Sequence, residues 1–114
     1  MLNSGDIVDL DLGVPSGREA GLCRPAVVVT AQRVLDAEPS VVQVVPLTST
    51  LRGFGSEVPI EPNEGSGLAA PSAAQCQHIR SVSVERIAQV KGSAGTVALA
   101  QIRGALGVIL DIPA

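Results

Sequence analysis

The run RPAVVVT, residues 24–30, limits what this chain can fold into more than any other stretch of its sequence. An unbroken apolar run of this kind is typical of a strand that is buried on both faces. Pro25 cannot donate to a sheet ladder, so it fits only at the first residue of a strand or at an edge. The Arg24 guanidinium keeps its charge and is seldom fully buried without a partner. The sequence therefore predicts a rigid strand with Arg24 held at its beginning.

The composition indicates a single globular domain spanning residues 1–114. The chain is 46% hydrophobic and 17% charged, which is outside the range of disordered proteins. A chain of 114 residues is long enough to bury a core of its own. It has no Trp and no Tyr, and Phe54 is its only Phe. The core must therefore be built from Val, Ile, Leu and Ala.

Charge and hydropathy bear on location and partners. The N-terminus has neither the basic start nor the apolar run of a signal peptide, and no segment approaches the roughly 20 apolar residues of a membrane span. We therefore expect a cytoplasmic protein with no membrane partner. The net charge of −3 weakens a claim of nucleic-acid binding. A local basic cleft stays possible, because Arg18, Arg24, Arg52 and Arg80 fall in or beside predicted loops and strand ends.

The cysteines and the histidine do not form a recognisable site. Cys23 and Cys76 are too few for a disulfide scaffold, and we expect two reduced thiols that serve as small apolar residues. A redox switch at Cys23, beside Arg24, is the alternative. His78 stands near Cys76 without the paired spacing that zinc requires. We expect neither a metal nor another cofactor.

Several short strands are predicted along the chain. GDIVDLDLG alternates as a half-exposed strand, with Val8, Leu10 and Leu12 on one side and Ile7, Asp9 and Asp11 on the other. VVQVVPLTST predicts a third strand, in which Pro46 marks a frayed end or a bulge. EVPIEP is expected at an edge. AQCQHIRSVSV and ERIAQVKGS, residues 74–84 and 85–93, predict two more strands.

The C-terminal segment changes to helical periodicity. Its apolar residues recur at three- and four-residue steps, at Leu99, Ile102, Leu106, Ile109 and Leu110. Thr96 or Ser93 is expected to cap the start of this helix. Short strands followed by one helix predict a small, mostly antiparallel barrel or curled sheet with the helix packed against it.

Three polar residues near the predicted strand ends suggest a reaction. A carboxylate (Glu19), a guanidinium (Arg24) and a hydroxyl (Thr48) suffice for metal-free RNA cleavage by the ribose 2′-OH. One group accepts the 2′ proton, while a fixed cation and a donor stabilise the charge that grows on phosphorus-bound oxygens. The alternatives are a structural salt bridge between Glu19 and Arg24, and an ordinary polar turn at residues 48–50.

The series GDIVDLDL, SGREAGLCRPAVVV, VVPLTST and GLAAPSAAQCQHIRSVSVERI resembles the MazF/PemK toxins of bacterial type II toxin–antitoxin modules. The G-x-E-x-x-x-x-R-P loop that opens a Val-rich strand is the most specific part of this resemblance. It implies a small SH3-like β-barrel of the CcdB/PemK type, with mostly antiparallel strands and a C-terminal α-helix. It also implies a homodimer that cuts single-stranded RNA at short sequences without metal, leaving 2′,3′-cyclic phosphate and 5′-OH ends. The implied partner is a cognate MazE-like antitoxin with an acidic, disordered tail.

The resemblance also implies roles for individual residues. Arg24 and Thr48 match the catalytic Arg and Thr of the family, and Glu19 matches its acidic loop residue. Because a guanidinium gives up its proton reluctantly, we expect Arg24 to stabilise charge. The general acid or base is either Glu19 or His78, since Gln77-His78 stands where the family commonly has Asp-Gln. The residues expected to bind RNA are Arg18, Ser49, Thr50, Arg52, Phe54, His78 and Arg80.

Two other functions compete with this hypothesis. CcdB-type toxins share the shape but inhibit DNA gyrase without acting as enzymes. The set Glu19, Arg24 and Thr48 disfavours that alternative, as does a C-terminus, GALGVILDIPA, that lacks a terminal Trp-Gly-Ile. The third possibility is a structural barrel with no activity.

Overall fold

The computed structural model describes residues 1–11 and 23–113, with Cys23 described by its backbone alone. Seven strands lie in these ranges: β1 (Asp6–Asp11), β2 (Cys23–Val28), β3 (Val41–Thr48), β4 (Glu57–Ile60), β5 (Ser72–Gln75), β6 (Arg80–Ser83) and β7 (Ile87–Ser93). The α-helices are α1 (Gln32–Leu35) and α2 (Gly95–Ile109), and the 3-10 turns are Cys76–His78 and Val84–Arg86. The predicted loop at residues 14–21 lies outside the described residues, as does Leu12.

The strands form one antiparallel sheet in the order β4-β5-β3-β2-β1-β7, and β6 pairs with β3 outside this path. The predicted edge strand at residues 57–60 is confirmed, because β4 ends the order. Among the described residues no ladder joins β4 to β7. The observed architecture is therefore an antiparallel sheet with a C-terminal helix, which confirms the fold class at this level.

β3 changes its neighbour halfway along its length. Its first four residues pair with β6, and Leu47 and Thr48 pair with β5, while β2 lies on its other side. Pro46 lies at the change, between the two sets of pairs. A residue without an amide N–H is tolerated where the ladder has a gap. Of the two predicted alternatives, a frayed end and a bulge, the frayed end is therefore wrong: Pro46 lies inside β3, where the strand changes its neighbour.

Strand alternation sorts the apolar residues of β1, β2 and β3 into two cores, one on each face of the sheet. One core contains Val8, Leu10, Ala26, Val28, Val42 and Val44, and α1 covers it with Leu35. The other contains Ile7, Val27, Val29, Val45 and Leu47, and α2 covers it with Ile102 and Leu106. The predicted burial of RPAVVVT on both faces is confirmed. The alternation of β1 is also confirmed, although Ile7 is fully buried because α2 covers the side that it shares with Asp9.

α2 confirms the predicted helix, but only part of its apolar stripe packs on the sheet. Ile102 and Leu106 are buried and Leu99 is partly buried, whereas Ile109 and Leu110 are exposed. The cap prediction is wrong, because the residue at the cap position is Ala94, which makes no side-chain cap hydrogen bond, and Ser93 Oγ only accepts the amide N–H of Gly95 at 3.1 Å. No helix in the described part of the chain is long and apolar enough to cross a membrane.

The prediction of one strand over residues 74–84 is wrong. The segment is divided into β5, the 3-10 turn Cys76–His78 and β6. Cys76 is fully buried while His78 and Arg80 are exposed, so these residues do not follow the alternation of a single strand. The turn is needed because β5 and β6 both pair with the same side of β3, at different ends.

Gly92 allows a close approach between β7 and the turn at residues 63–67. A Cβ on Gly92 would lie 2.3 Å from the carbonyl oxygen of Gly65, which itself accepts the Ser93 amide at 2.7 Å. Gly67, at φ +68°, is equally close to the Lys91 carbonyl, at 2.4 Å from its Cβ position. Side chains at these positions would push the turn away from the sheet.

Candidate active site

Strand register brings Arg24 and Thr48 to the same end of the sheet. The last pair of the β2–β3 ladder is Ala26 with Pro46. Arg24 lies two residues before Ala26, and Thr48 lies two residues after Pro46, so both stand just beyond the same end of this ladder. Arg24 is exposed and Thr48 is half-buried, so both are reachable from solvent.

The Thr48 hydroxyl is held by its own turn. Its Oγ1 accepts the backbone N–H of Thr50 at 3.1 Å. A hydroxyl that accepts one hydrogen bond keeps its proton for a donation of its own. The turn thus leaves the Thr48 hydroxyl proton available for donation, at the end of the ladder where Arg24 also lies. Such a pair can stabilise an anion.

The face that carries Thr48 continues across β5 and β4. Thr48 pairs with Ala73, and Ala73 pairs with Pro59. Glu57 and Gln75 are paired one step along the same face, because side chains two residues apart on a strand point the same way. Glu57 therefore lies on the face of Thr48, two strands away.

The loop from Ser49 to Ser56 carries the exposed groups of this region. Ser49, Thr50, Arg52 and Phe54 are all exposed. The Arg52 guanidinium carbon lies 6.0 Å from the centroid of the Phe54 ring, at the outer limit of a cation–π contact. The loop thus presents a cation and a flat apolar surface beside the Thr48 turn.

A buried carboxylate lies under this loop. The Glu57 side chain is 2% exposed, and its Oε2 accepts from Gln77 Nε2 at 2.9 Å. Gln77 is held in turn by Ser56, whose hydroxyl donates to Gln77 Oε1 at 2.9 Å. Arg52 Nη1 lies 3.9 Å from Glu57 Oε2. Within the described residues Glu57 Oε1 has no hydrogen-bond partner, although it is buried.

His78 and Arg80 lie on the chain that leads away from this carboxylate. His78 ends the 3-10 turn and is exposed, and the turn packs against α2, β3 and β4. Arg80 pairs with Val44 of β3. Val44 precedes Thr48 by four residues, so Arg80 lies on the same face as Thr48 but further along the strand. That separation is about 13 Å. Arg80 is placed to contact a long ligand but not the groups at Thr48.

Two predicted site residues, Arg18 and Glu19, lie outside the described residues. Their roles therefore stay predictions. In residues 1–11 and 23–113, no group of three or more His, Cys, Asp and Glu side chains is arranged to hold a metal ion. The expectation of a metal-free site is likewise still a prediction.

Cys76 fits the expectation of a reduced apolar cysteine. It is a free thiol, fully buried, with Sγ 3.7 Å from the Ala74 carbonyl oxygen. Burial raises the pKa of the Cys76 thiol, and the nearby Glu57 charge acts in the same direction, although a backbone hydrogen bond partly opposes them. The thiol therefore serves as a small, buried side chain of the core. The Cys23 side chain is not among the described groups.

Sequence reasoning missed Glu57 and Gln77 as members of the site. In the sequence Glu57 stands with Glu61 and Glu64 in an acidic segment that carries no other sign of a site. The available signal was its position: it opens a predicted edge strand directly after the loop of Arg52 and Phe54. Burial of the carboxylate depends on a partner 20 residues away, which no local pattern reveals.

The chain is similar to known toxins over nearly its whole length. Residues 3–110 match the family described as PemK-like, MazF-like toxin of type II toxin-antitoxin system. The chain is 33% identical over 116 residues to Endoribonuclease MazF9 of Mycobacterium tuberculosis, with 98% of both chains covered. It superposes on a chain of the MazE–MazF complex (Form-II) of Deinococcus radiodurans with a TM-score of 0.80 and 27% identity, covering 98% of this chain and 97% of that one.

A second solved structure, Mycobacterium tuberculosis toxin MazF-mt6, supports the fold alone. Its TM-score is 0.76 at 23% identity, over 96% of this chain and 99% of that chain. The family match and the relative at 33% identity carry the assignment. The chain belongs to the PemK-like, MazF-like toxin family of type II toxin–antitoxin systems.

Proposed function

We propose that the protein is a sequence-specific endoribonuclease toxin that cleaves single-stranded RNA in the cytoplasm. The observation that carries this proposal is the placement of Arg24 and Thr48 at the same end of the β2–β3 ladder, together with an exposed loop after Thr48 that has a cation and an aromatic ring. Its relatives support it, since one at 33% identity is named an endoribonuclease. Exposed rings and guanidinium planes are the usual stacking surfaces for unpaired bases.

The proposed reaction is an internal transfer at phosphorus. The ribose 2′-oxygen attacks the neighbouring phosphorus, and the bond from phosphorus to the 5′-oxygen breaks. The 2′ proton passes to a general base, and the leaving 5′-oxygen takes up a proton, giving 2′,3′-cyclic phosphate and 5′-OH ends. Glu19 and His78 are the candidates for these proton transfers. No metal is required in this scheme.

Arg24 and Thr48 have complementary parts in this reaction. The Arg24 guanidinium presents a planar set of donors that matches two phosphate oxygens. Thr48 donates its hydroxyl proton to the oxygen that gains charge as the 2′-oxygen attacks. Donors fixed in advance are effective because the enzyme does not reorganise them during the reaction. Ser49, Thr50, Arg52, Phe54 and Arg80 then hold the RNA on either side, together with Arg18.

The proposed architecture behind this site is one domain, residues 1–114, curled into a small barrel of the SH3-like type. The supporting feature is β3, which pairs with β2, β5 and β6 and so bends the sheet around the core that α2 covers. The TM-score of 0.80 to the Deinococcus radiodurans chain also supports this architecture.

The proposed partners are a second copy of the chain and a cognate antitoxin with an acidic, disordered tail. Support for the antitoxin comes from the relatives, because the Deinococcus radiodurans structure is a MazE–MazF complex. Support for a homodimer comes from large apolar side chains left exposed at the end of α2 and beyond it: Val108, Ile109, Leu110 and Ile112.

A cleavage assay tests the proposed function. The purified protein is incubated with single-stranded RNA in excess EDTA, and the product ends are identified by mass. We expect cleavage with cyclic-phosphate and 5′-OH ends. A strict requirement for magnesium would contradict the mechanism. Inhibition of DNA gyrase without any RNA cleavage would instead support the CcdB-like alternative.

A further inference from the structure

The buried Glu57 carboxylate has an acceptor that the proposed mechanism does not use. Its Oε1 is buried and finds no hydrogen-bond donor among the described residues, while Oε2 accepts from Gln77 at 2.9 Å. Leaving a buried acceptor unpaired is costly, so such groups are commonly paired in the functional state. The position of Glu57 on the face of Thr48 points to a donor supplied by the substrate.

Arg52 shows what kind of group fits here. Its guanidinium lies 6.0 Å over the Phe54 ring and 3.9 Å from Glu57 Oε2. The same planar group therefore lies near both an aromatic face and a buried carboxylate. Both contacts are at the limit of their ranges, and the Arg52 side chain is 45% exposed. At 3.9 Å Arg52 makes no hydrogen bond to Glu57, so a ligand that displaces it loses only a long contact and can give the buried carboxylate hydrogen bonds in return.

We propose that Phe54, Glu57 and Gln77 form a base-reading pocket that selects an RNA base with an exocyclic amino group. This inference rests on the proposed function. The base takes the place of the Arg52 guanidinium: it stacks on Phe54, and its amino group donates to Glu57 Oε1. Gln77, fixed by Ser56 at 2.9 Å, holds the carboxylate in position through Oε2.

The chemistry of a carboxylate decides which bases the pocket accepts. An ionised carboxylate only accepts hydrogen bonds, so it favours a base edge that carries donors. Guanine fits best, because its N1–H and amino group form a guanidine-like edge that matches two carboxylate oxygens. Adenine and cytosine present one amino group each. Uracil has none, and its carbonyl oxygens would face the carboxylate.

The pocket lies near the cleaved bond but not at it. Glu57 is two strands from Thr48 and one step along the face, a separation of about 12 Å. The selected base therefore belongs to a nucleotide beside the cleavage point. Its recognition contributes to the choice of RNA sequence and leaves the reacting atoms to Arg24 and Thr48.

The test removes single amino groups from the RNA. An oligonucleotide that the wild type cleaves is remade with inosine for guanosine, purine riboside for adenosine, or pyrimidinone riboside for cytidine, one position at a time. Each is assayed with the wild type, with Glu57→Gln, and with Glu64→Gln as a control. Glu64 is exposed, so this control makes the same charge change outside the pocket.

We expect one position at which loss of the amino group slows wild-type cleavage about 10-fold or more, the usual discrimination of a good base contact. Removing the same amino group should slow cleavage by Glu57→Gln about twofold or less, while Glu64→Gln should respond as the wild type does. If no position responds in the wild type, or if Glu57→Gln responds as strongly as the wild type, the pocket is wrong and the proposed function still stands. A wild type that cleaves no RNA contradicts both. If Glu57→Gln does not fold, the wild-type measurements decide: a wild type that responds to no amino-group removal contradicts the pocket.

Discussion

The two ends of β3 lie in different surroundings. Over residues 42–47, Val42, Val44, Val45 and Leu47 are buried and alternate between two apolar cores. At Thr48 the strand ends, and the loop that follows is polar and exposed up to Phe54. The buried end contributes free energy of folding, and the polar end holds the groups with chemistry. Substitutions at the two ends should therefore affect different measurements.

The largest effect is expected at the polar end, from Arg24→Ala. Removing one fixed charge stabiliser typically lowers the rate about 100- to 1000-fold. Arg24→Lys should also be poor, because an ammonium cannot reproduce the planar fork of donors. The measurement is the single-turnover rate of RNA cleavage, with the melting temperature as the control. An unfolded Arg24→Ala protein would indicate a structural salt bridge instead.

The buried region is tested by Ile102→Ala, which removes the fully buried α2 side chain from the core of Val27 and Val45. We expect a loss of about 2–5 kcal/mol in the free energy of unfolding. The exposed neighbour Gln101→Ala should stay within about 0.5 kcal/mol. Urea unfolding measures both. The folded fraction of Ile102→Ala should cleave RNA at the wild-type rate, and a slower rate would mean that the two regions are coupled.

Thr48→Ala should again separate activity from stability, with a smaller loss than at Arg24. Losing a hydrogen bond to a charged group lowers the rate about 10- to 100-fold. Thr48→Ser keeps the hydroxyl that accepts from Thr50, so it should retain most of the activity. Cleavage rates of the three proteins decide the point. Equal loss in Thr48→Ser would show that the methyl group matters, not the hydroxyl.

The smallest effect is expected from Cys76. Burial raises the pKa of its thiol above the ordinary value, so the unfolded chain releases this proton at a lower pH than the folded one. The contribution is fully present below about pH 8.5 and is lost as the pH rises through the folded pKa. Urea unfolding at increasing pH should show this loss in the wild type but not in Cys76→Ala. Parallel pH profiles would contradict it.

The sequence was sufficient for the central strands and insufficient for the ends of the sheet. Burial of residues 26–29 and the alternation of β1 follow from local patterns. The division of residues 74–84 does not, because it depends on β3 turning at Pro46 and offering its two halves to different strands. The apolar residues Ile109 and Leu110 continue the helical period, but the sheet ends before it reaches them.

The candidate site divides in the same way. Arg24 lies at the start of β2 and Thr48 at the end of β3, two strands that the sequence marks clearly, so their placement at one end of the ladder was predictable. Glu57 looked like one of several surface acids. Its burial results from Gln77, which a 3-10 turn brings back over β4, and no periodic pattern predicts that contact.

The central claim is that the chain cleaves RNA through the ribose 2′-OH at the polar end of the sheet. The most direct test is an RNA oligonucleotide with a single 2′-deoxyribose at the nucleotide that precedes the cleaved bond. We expect that cleavage stops at that bond while the unmodified oligonucleotide is cut, because the nucleophile is missing. Cleavage of the modified bond at the normal rate would contradict the account.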